Sequence, residues 1–313
     1  MIMDDTMTTD KLLFLSEAQV RAVLTYDDLI PAIRQALMDF SAGRVVQPLR
    51  TVMSVADHGG WFAVMPAVCG GVMGAKMVTF YPGNAALGQH THMAMIQLFR
   101  AETGEPLAVM DGRLITEMRT AAVSAVAVDC LTRPDAKVLG ILGSGVQARS
   151  HVQALAQVRK FEEIRVWSRS EENARKFAEE VGARVTSAED AVTGADVVLT
   201  LTSSPEPVLQ GRWLKRDAVV CAVGAVTPSR RELDDEAMTG AVVVESREAG
   251  MREPGDILLA KAVISAEIGE LLNGAALNRG DRPVVFKSVG VAVEDITAAK
   301  LVYDRVSGRS GAY

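Results

Sequence analysis

The amino-acid sequence predicts an α/β protein in which a doubly wound parallel sheet is joined to an α+β domain. From Lys137 onward, short apolar strands alternate with helices, which is typical of a parallel sheet covered on both faces. Residues 1–110 instead contain helices followed by a run of strands, as in an α+β domain. At about 150 residues per domain, the 313-residue chain is expected to form two domains. We assign residues 1–120 with 293–313 to the α+β domain and residues 121–292 to the parallel sheet.

Composition and charge exclude several classes of protein. Hydrophobic residues make up 49% of the chain and charged residues 23%, as in ordinary globular proteins. The net charge is −6, and no run of Lys or Arg offers a footprint for a nucleic acid. No apolar run approaches the ~20 residues that a bilayer crossing needs, and Met1–Asp10 lacks the basic segment of a signal peptide. We therefore expect a cytoplasmic protein without a nucleic-acid or membrane partner.

The cysteine pattern favours the same compartment. Cys69, Cys130 and Cys221 are isolated, with neither a CxxC pair nor an even framework. Such a pattern is expected of buried thiols in a reducing cytoplasm rather than of disulfides or a zinc site.

The first region begins with two predicted helices. Ser16 with Gln19, and Thr25 with Asp28, resemble capping boxes, and apolar residues at helical spacing follow each pair. Short or alternating apolar segments then predict five strands, at Leu49–Val55, Trp61–Val64, Gly74–Phe80, Met93–Phe99 and Pro106–Met110.

The second region begins at a predicted junction helix. Thr116 is expected to cap a helix over Ala121–Leu131, which ends before Pro134. A final helix near Asp295–Arg305 is expected to pack back on the first domain. Between them the predicted strands and helices alternate in the order Lys137–Leu142, Gln147–Val158, Ile164–Trp167, Glu171–Val181, Ala183–Thr186, Ala188–Val192, Val197–Thr202, Ala218–Ala222 and Val242–Val244.

The strongest motif is a glycine-rich turn between a strand and a helix, with the sequence Gly143-Ser144-Gly145-Val146-Gln147-Ala148. Gly143 permits the tight turn, Gly145 lets a pyrophosphate approach the backbone, and Ala148 allows close packing of helix on sheet. The helix N-terminus adds free N–H groups and the positive end of its dipole. The motif therefore predicts a Rossmann-like dinucleotide-binding site.

The end of the next strand indicates which dinucleotide binds. NAD-selective sites carry Asp or Glu there, which binds the ribose 2′-hydroxyl. This chain has Ser168-Arg169-Ser170 instead, and Asn173 follows at the start of the next helix. Because a guanidinium pairs with phosphate through its planar fork, the segment favours NADP, with NAD as the alternative.

Three cations are candidates for binding a substrate. Arg50 lies at a strand start, and Lys76 lies in an apolar stretch where its charge needs an anionic partner. Arg119 is expected in the first turn of the junction helix, where a cation is unfavourable, so we expect it to serve another purpose. His90 and His92 would share one side of a strand but lack a third ligand, so no metal site is expected.

Four segments resemble the ornithine cyclodeaminase/mu-crystallin family. They are Met110–Ala125, the glycine-rich turn Gly143–Ala148, Gly255–Leu258 and Phe286–Gly290. The resemblance runs from Arg50 to the final helix. It implies a homodimer whose contact is made by the first domain, and a substrate site that faces the Rossmann-like domain.

The resemblance also implies roles for individual residues. Arg50, Lys76 and Arg119 would jointly hold the α-carboxylate of the substrate, and Lys76 and Arg119 would take part in catalysis. We add Lys76 as a candidate proton donor to an imine nitrogen. His92 matches a family histidine near the cofactor, with a structural histidine as the alternative. The expected cofactor-binding residues are His92, Gly143, Ser144, Gly145, Val146, Gln147, Ala148, Ser168, Arg169, Ser170, Asn173, Thr202, Val223 and Ser288.

One position separates the chemistries of this family. Its cyclodeaminases carry an Asp, in a Gly-x-Asp segment, that engages the side-chain amine of the substrate. In the matching segment Gly224–Leu233, Val226 stands where that Asp would be. A valine neither accepts a proton nor pairs with an ammonium group. The segment is therefore closer to the ketimine reductase branch.

The preferred hypothesis is the NADPH-dependent reduction of a cyclic ketimine, such as Δ1-pyrroline-2-carboxylate or Δ1-piperideine-2-carboxylate. One alternative is an ornithine cyclodeaminase, forming L-proline and ammonia, in which Glu253 or Asp256 replaces the missing acid. A second is an alanine-type amino-acid dehydrogenase. A third is a non-catalytic protein that binds NADPH and a small ligand.

Overall fold

Two sheets organise the chain in a computed structural model, which describes residues 12–308. The predictions made for Met1–Asp10 lie outside the described residues. The elements of the first part are β1 (Leu13–Leu15), α1 (Glu17–Val23), α2 (Tyr26–Ser41), β2 (Thr51–Val55), β3 (Gly60–Cys69), β4 (Val72–Phe80), β5 (His92–Arg100), β6 (Pro106–Asp111) and α3 (Arg113–Leu131).

The second part continues the strand–helix alternation. Within residues 12–308, no helix has both the length and the apolar character to span a membrane. The elements are β7 (Val138–Leu142), α4 (Val146–Leu155), β8 (Glu163–Trp167), α5 (Glu171–Val181), β9 (Arg184–Val185), α6 (Ala188–Val192), β10 (Val197–Thr200), β11 (Val219–Ala222), β12 (Ala241–Val244), α7 (Arg247–Gly250), α8 (Gly255–Ala260), β13 (Ile264–Glu267), α9 (Ile268–Leu272), β14 (Val284–Lys287) and α10 (Ala292–Ser307).

The first sheet has six strands in the order β1-β6-β5-β4-β3-β2, with β1 parallel to β6 and the other pairs antiparallel. Its register places Met65, Lys76, Ile96 and Met110 in one row across four strands. All four side chains are buried, and α10 packs against β3, β4 and β5. Because side chains alternate along a strand, Lys76 lies on the inner face of this sheet.

The second sheet has eight parallel strands in the order β13-β12-β14-β11-β10-β7-β8-β9. Its central strands β10, β11, β12 and β14 are buried throughout, as expected of a sheet covered on both faces. The chain passes from β7 to β8 and β9 on one side, and to β10 and β11 on the other. Such a reversal opens a crevice at the carboxyl ends of the strands. The predicted doubly wound sheet is therefore confirmed.

The start of α3 differs from the prediction. The helix begins at Arg113, whose N–H donates to Asp111 Oδ1 at 3.0 Å, so Thr116 is not its cap. The Thr116 hydroxyl instead donates to the carbonyl of Gly112 at 2.8 Å within the first turn. Arg119 consequently lies in the second turn. The expectation that it occupies an unfavourable N-terminal position was wrong.

Several short elements were not predicted. Strand β1 has three residues and α7, α8 and α9 have four to six, too few to show a hydrophobic period. Strands β13 and β14 were also missed. Strand β14 matters most, because it inserts between β11 and β12 and carries a loop into the site.

The cysteines differ in burial. Cys221 is buried in β11 and Cys69 is partly buried, whereas Cys130 is exposed. Cys130 lies in the last turn of α3, beside the exposed Asp129. The prediction that all three are buried thiols was therefore wrong for Cys130.

Candidate active site

A cavity of about 780 Å³ lies between the two sheets. The first sheet contributes residues of β3 and β4, and α3 contributes its first two turns. The second sheet contributes the loops that follow β7, β10, β11 and β14 at their carboxyl ends. The cavity therefore occupies the crevice in which open α/β sheets bind their ligands.

Two of the predicted cations are buried at this cavity and paired with acids behind it. Lys76 is 1% exposed and Arg119 is 6% exposed. Lys76 Nζ lies 2.7 Å from Asp295 Oδ2, so the predicted anionic partner of Lys76 is confirmed. Arg119 Nε donates to Asp295 Oδ1 at 2.9 Å, and Arg119 Nη1 donates to Glu294 at 2.7 Å. The two acids are fully buried and do not line the cavity.

The sequence places these acids at the start of α10. Glu294 and Asp295 lie in its first turn, where the helix dipole favours carboxylates. That end of α10 meets the inner face of the first sheet, which carries Lys76. The buried cations Lys76 and Arg119 therefore pair with the acids at the N-terminus of this helix.

The third predicted cation, Arg50, lines the same cavity from the segment before β2. Its guanidinium pairs with Glu253 through contacts of 3.0 Å. It also donates to the carbonyls of Val289 and Gly290 at 2.7 and 2.6 Å. Arg50 therefore ties the first sheet to the loop after β14.

Burial and charge shift the pKa values of these groups. Burial, with Arg119 and Arg50 nearby, lowers the pKa of Lys76 to about 8, although Asp295 opposes the shift. Burial alone would raise the pKa of Asp295, but Arg119 and Lys76 hold it below its usual value. Burial raises the pKa of Glu294 to about 8 against the opposing charge of Arg119. Burial and the neighbouring charges thus bring the pKa values of Lys76 and Glu294 toward neutrality.

His92 also lines the cavity, at the start of β5. Burial, followed by the charges of Lys76 and Arg119, lowers its pKa to about 4. The imidazole is therefore neutral at pH 7. His90 lines the cavity from the preceding loop, and the described residues contain no cluster of His, Cys, Asp or Glu suited to a metal.

The glycine-rich turn forms a cradle for a dinucleotide. Gly143 has φ of 119°, and a Cβ there would lie 2.6 Å from the carbonyl oxygen of Leu201, so a side chain would not fit. The turn opens into a second cavity, of about 300 Å³, lined also by Ser168, Arg169, Ser170 and Asn173. The residues present therefore fit a dinucleotide that runs from this second cavity into the large one.

The expected cofactor residues divide between the two cavities. Ala148 lies in neither and is fully buried, as close packing of α4 on the sheet requires. The second cavity holds Gly143, Ser144, Gly145, Ser168, Arg169, Ser170, Asn173 and Thr202. The large cavity holds His92, Gly145, Val146, Gln147, Thr202, Val223 and Ser288.

Arg149 lies in α4 and donates hydrogen bonds to the backbone of the glycine-rich turn that precedes this helix. It donates to the carbonyls of Ser144 and Gly145 at 2.8 and 3.3 Å, and it pairs with Glu180 of α5. Its guanidinium also lies 5.6 Å from the ring centre of Phe177. Arg149 was not singled out in the sequence, although its position just after the motif was a usable signal.

Two buried carboxylates beside the site were also missed. Glu245 accepts hydrogen bonds from the Ser288 hydroxyl at 2.7 Å and the Val289 N–H at 2.9 Å. Glu232 is bonded to the ends of β10 and β11. Each is fully buried. The signal for Glu245 was an acid directly after an apolar strand.

The large cavity also shows where Val226 and the two alternative acids lie. Val226 lines it and is 37% exposed. Asp256 is fully buried behind it, where Oδ1 accepts the N–H groups of Glu232 and Leu233. Glu253 is held by Arg50. Both Asp256 and Glu253 are thus engaged by other groups in this structure.

Comparison with known proteins places this site in a family. Residues 10–310 match the sequence profile of the ornithine cyclodeaminase/mu-crystallin family. The chain belongs to that family. A family relative, the mouse ketimine reductase mu-crystallin, is 48% identical over 301 residues, covering 93% of this chain and 96% of the relative.

Solved structures of the family share the whole fold. The Δ1-pyrroline-2-carboxylate reductase of Thermococcus litoralis, in complex with NADH and L-proline, has a TM-score of 0.90 at 34% identity, covering 96% of this chain and 100% of that one. An archaeal alanine dehydrogenase dimer with bound NAD has a TM-score of 0.90 at 32% identity, covering 96% and 98%. This family member is therefore an oxidoreductase that uses a nicotinamide cofactor.

Proposed function

We propose that the chain uses NADPH to reduce a cyclic ketimine, such as Δ1-pyrroline-2-carboxylate or Δ1-piperideine-2-carboxylate, to the cyclic amino acid. The observation that carries this proposal is the convergence of Arg50, Lys76 and Arg119 on the cavity that also reaches the glycine-rich turn. The names of the mouse and Thermococcus relatives support the same substrate class.

The three cations would bind the α-carboxylate of the ketimine. Each is already held by a buried acid or by backbone carbonyls, so little side-chain entropy is lost on binding. Charge-assisted hydrogen bonds to a carboxylate are about twice as strong as neutral ones. The clamp would therefore fix the imine carbon in one orientation within the cavity.

The chemistry needs a hydride at the imine carbon and a proton at the imine nitrogen. When bound, the reduced nicotinamide supplies the hydride. Lys76 Nζ, with its pKa lowered to about 8, remains mostly protonated at pH 7 and would donate the proton. His92 would remain neutral beside the cofactor. The residues thus supply orientation and the proton that converts the imine into an electrophilic iminium, which needs only the hydride.

The preference for NADPH rests on Arg169. Among residues 12–308 its guanidinium makes no ion pair or hydrogen bond, although it lines the second cavity with Ser168, Ser170 and Asn173. The next acid along the chain, Glu171, pairs with Arg175. A free guanidinium flanked by hydroxyls suits a 2′-phosphate.

Two other reactions remain alternatives. Ornithine cyclisation is disfavoured because Val226 lines the cavity and the neighbouring acids are held elsewhere. Reductive amination is favoured only by the likeness to the archaeal alanine dehydrogenase. It would require added ammonium, whereas ketimine reduction would not.

The deciding experiment follows NADPH oxidation with Δ1-pyrroline-2-carboxylate, beside an L-ornithine incubation assayed for ammonia and proline. We expect imine-dependent oxidation and no turnover of ornithine. Ammonia release from ornithine, or oxidation that depends on pyruvate and ammonium alone, would overturn the proposal.

We also propose a cytoplasmic homodimer, with the domains divided at residues 120 and 293. The outer face of the first sheet carries exposed apolar side chains, Met53, Met93 and Met95, and its edge strand β2 carries Val52. Covering such a face is the usual way to remove an apolar patch from water. Sedimentation analysis is expected to give twice the chain mass, and a monomer would contradict this proposal.

A further inference from the structure

Glu232 joins the carboxyl ends of two neighbouring strands. One of its oxygens accepts from the N–H and the hydroxyl of Thr202, at 2.6 and 2.7 Å. The other accepts from the Thr200 hydroxyl at 2.8 Å and the Gly224 N–H at 2.7 Å. The side chain is fully buried. Four donors on two oxygens match the acceptor capacity of an ionised carboxylate.

The segment that carries Glu232 is itself held from a third strand. Asp256 Oδ1 accepts the N–H groups of Glu232 and Leu233 at 2.7 and 3.0 Å. Lys287, the last residue of β14, places Nζ 3.0 Å from Asp256 Oδ2, and both residues are fully buried. Burial raises the pKa of Glu232, while Lys287 opposes that shift. The carboxylate is thus fixed in position before any ligand enters.

The strand ends that Glu232 joins form one wall of the crevice. Thr202 and Gly224 line the large cavity, whereas Glu232 and Thr200 lie behind them. The two loops touch, because a Cβ on Gly224 would lie 2.0 Å from the carbonyl oxygen of Thr202. Both loops follow strands on one side of β7, namely β10 and β11. Strand β8, which leads to Arg169, lies on the other side of β7. The loop that carries Gly224 therefore faces the nicotinamide half of a dinucleotide whose adenosine half lies near Arg169, while Thr202 lines both cavities.

We propose that Glu232 is a positioning residue that sets the separation of these two loops, and thereby holds the nicotinamide toward the cation cluster. The inference rests on the proposed function for the identity of the substrate. The part of the inference that concerns the nicotinamide is independent of the proposed function, because binding of the cofactor is measured without any imine.

The test uses Glu232→Gln in the full-length protein. Gln keeps the volume, but whichever oxygen is replaced, its amide nitrogen faces a backbone N–H, that of Thr202 or that of Gly224. Asp196→Asn is the matched control. Asp196 accepts the N–H groups of Lys137 and Val138 at 2.7 and 2.8 Å, at the opposite end of the same sheet.

We expect Glu232→Gln to lower kcat for ketimine reduction about 10- to 100-fold, because small misplacements of reacting groups cost that much. The KM for the imine is expected to stay near wild type, since the cation cluster is untouched. Binding of NADPH is expected to weaken more than binding of 2′-phospho-ADP-ribose, which lacks nicotinamide. Asp196→Asn is expected to lower Tm without changing any of these constants.

Equal loss of affinity for NADPH and for 2′-phospho-ADP-ribose would overturn the inference, and so would a loss of kcat matched by Asp196→Asn. If the wild type reduces no imine, the proposed function fails, yet the two binding constants still decide the role of Glu232. If Glu232→Gln does not fold, Thr200→Val removes one of the four bonds from behind the crevice. It is expected to show the same selective loss of NADPH affinity, to a smaller degree, and unchanged NADPH affinity would overturn the inference.

Discussion

Lys76 is buried and has two proposed roles, which are to bind a carboxylate and to donate a proton. Both roles need the cationic form. Its pKa is lowered to about 8 by burial and by Arg119, against the attraction of Asp295. We therefore expect kcat/KM for the ketimine to be high near pH 7 and to fall as pH rises through about 8. A profile measured with the preformed imine checks this.

The same profile separates Lys76 from His92. Because burial lowers the pKa of His92 to about 4, its titration would appear as a change on the acid side. Lys76→Met is expected to remove the fall near pH 8 along with most of the activity, whereas Lys137→Met, at an exposed surface position, leaves the profile intact. A wild-type profile that is flat from pH 7 to 10 would contradict the role given to Lys76.

Arg169 offers the second test at the scale of a residue. A hydrogen bond to a charged group contributes about 1.5–3 kcal/mol, or roughly 10- to 100-fold in affinity. Arg169→Ala is therefore expected to weaken NADPH binding by that factor and to leave NADH binding nearly unchanged. Fluorescence titration with each dinucleotide measures both constants.

The control for Arg169 lies one turn into α5. Arg175→Ala removes a cation that pairs with Glu171 at the exposed start of the same helix. It is expected to change neither constant. Equal losses for NADPH and NADH in Arg169→Ala would refute the assignment to a 2′-phosphate.

At the scale of elements, sequence patterns predicted most strands and helices because their causes are local. Helix α5 was predicted with its exact bounds, since Ser170 caps it and Gly182 ends it in the left-handed region. Helix α3 was misplaced at its start because Asp111, from the preceding strand, supplies the cap acceptor. Strand β14 was missed because four residues give too little local pattern to predict a strand. They form one through their pairing with β11 and β12.

Arg149 allows a test of how one helix supports the glycine-rich turn. Its guanidinium bonds to the carbonyls of Ser144 and Gly145 and is held by Glu180 of α5. Arg149→Met keeps the aliphatic stem but removes these bonds. If the turn binds the pyrophosphate common to both dinucleotides, as proposed, the binding of NADPH and of NADH is expected to weaken by the same factor. Selective loss of NADPH, as in Arg169→Ala, would contradict this role.

At the scale of the whole molecule, the residues of the proposed site could be predicted from the sequence, but their arrangement could not. Lys76 stands out as a charge in an apolar stretch, but only the family resemblance joins Arg50, Lys76 and Arg119 into one binding set. Their partners Glu294, Asp295 and Glu253 could not be assigned, since each lies more than 170 residues further along the chain. The packing of α10 on the first sheet brings Glu294 and Asp295 to Lys76 and Arg119, whereas Glu253 reaches Arg50 from the segment between α7 and α8.

The cavity between the sheets predicts how ligands stabilise the whole protein. A carboxylate ligand that bridges Arg50, Lys76 and Arg119 contacts groups anchored to both parts of the fold. At a hundredfold excess over Kd, such a ligand adds about 2.7 kcal/mol to the free energy of unfolding. With NADP present, L-proline is therefore expected to raise Tm, while L-prolinamide, which keeps the ring but lacks the carboxylate, is not. Equal shifts from both compounds, in a thermal melt with saturating NADP, would show that the cations do not bind the carboxylate.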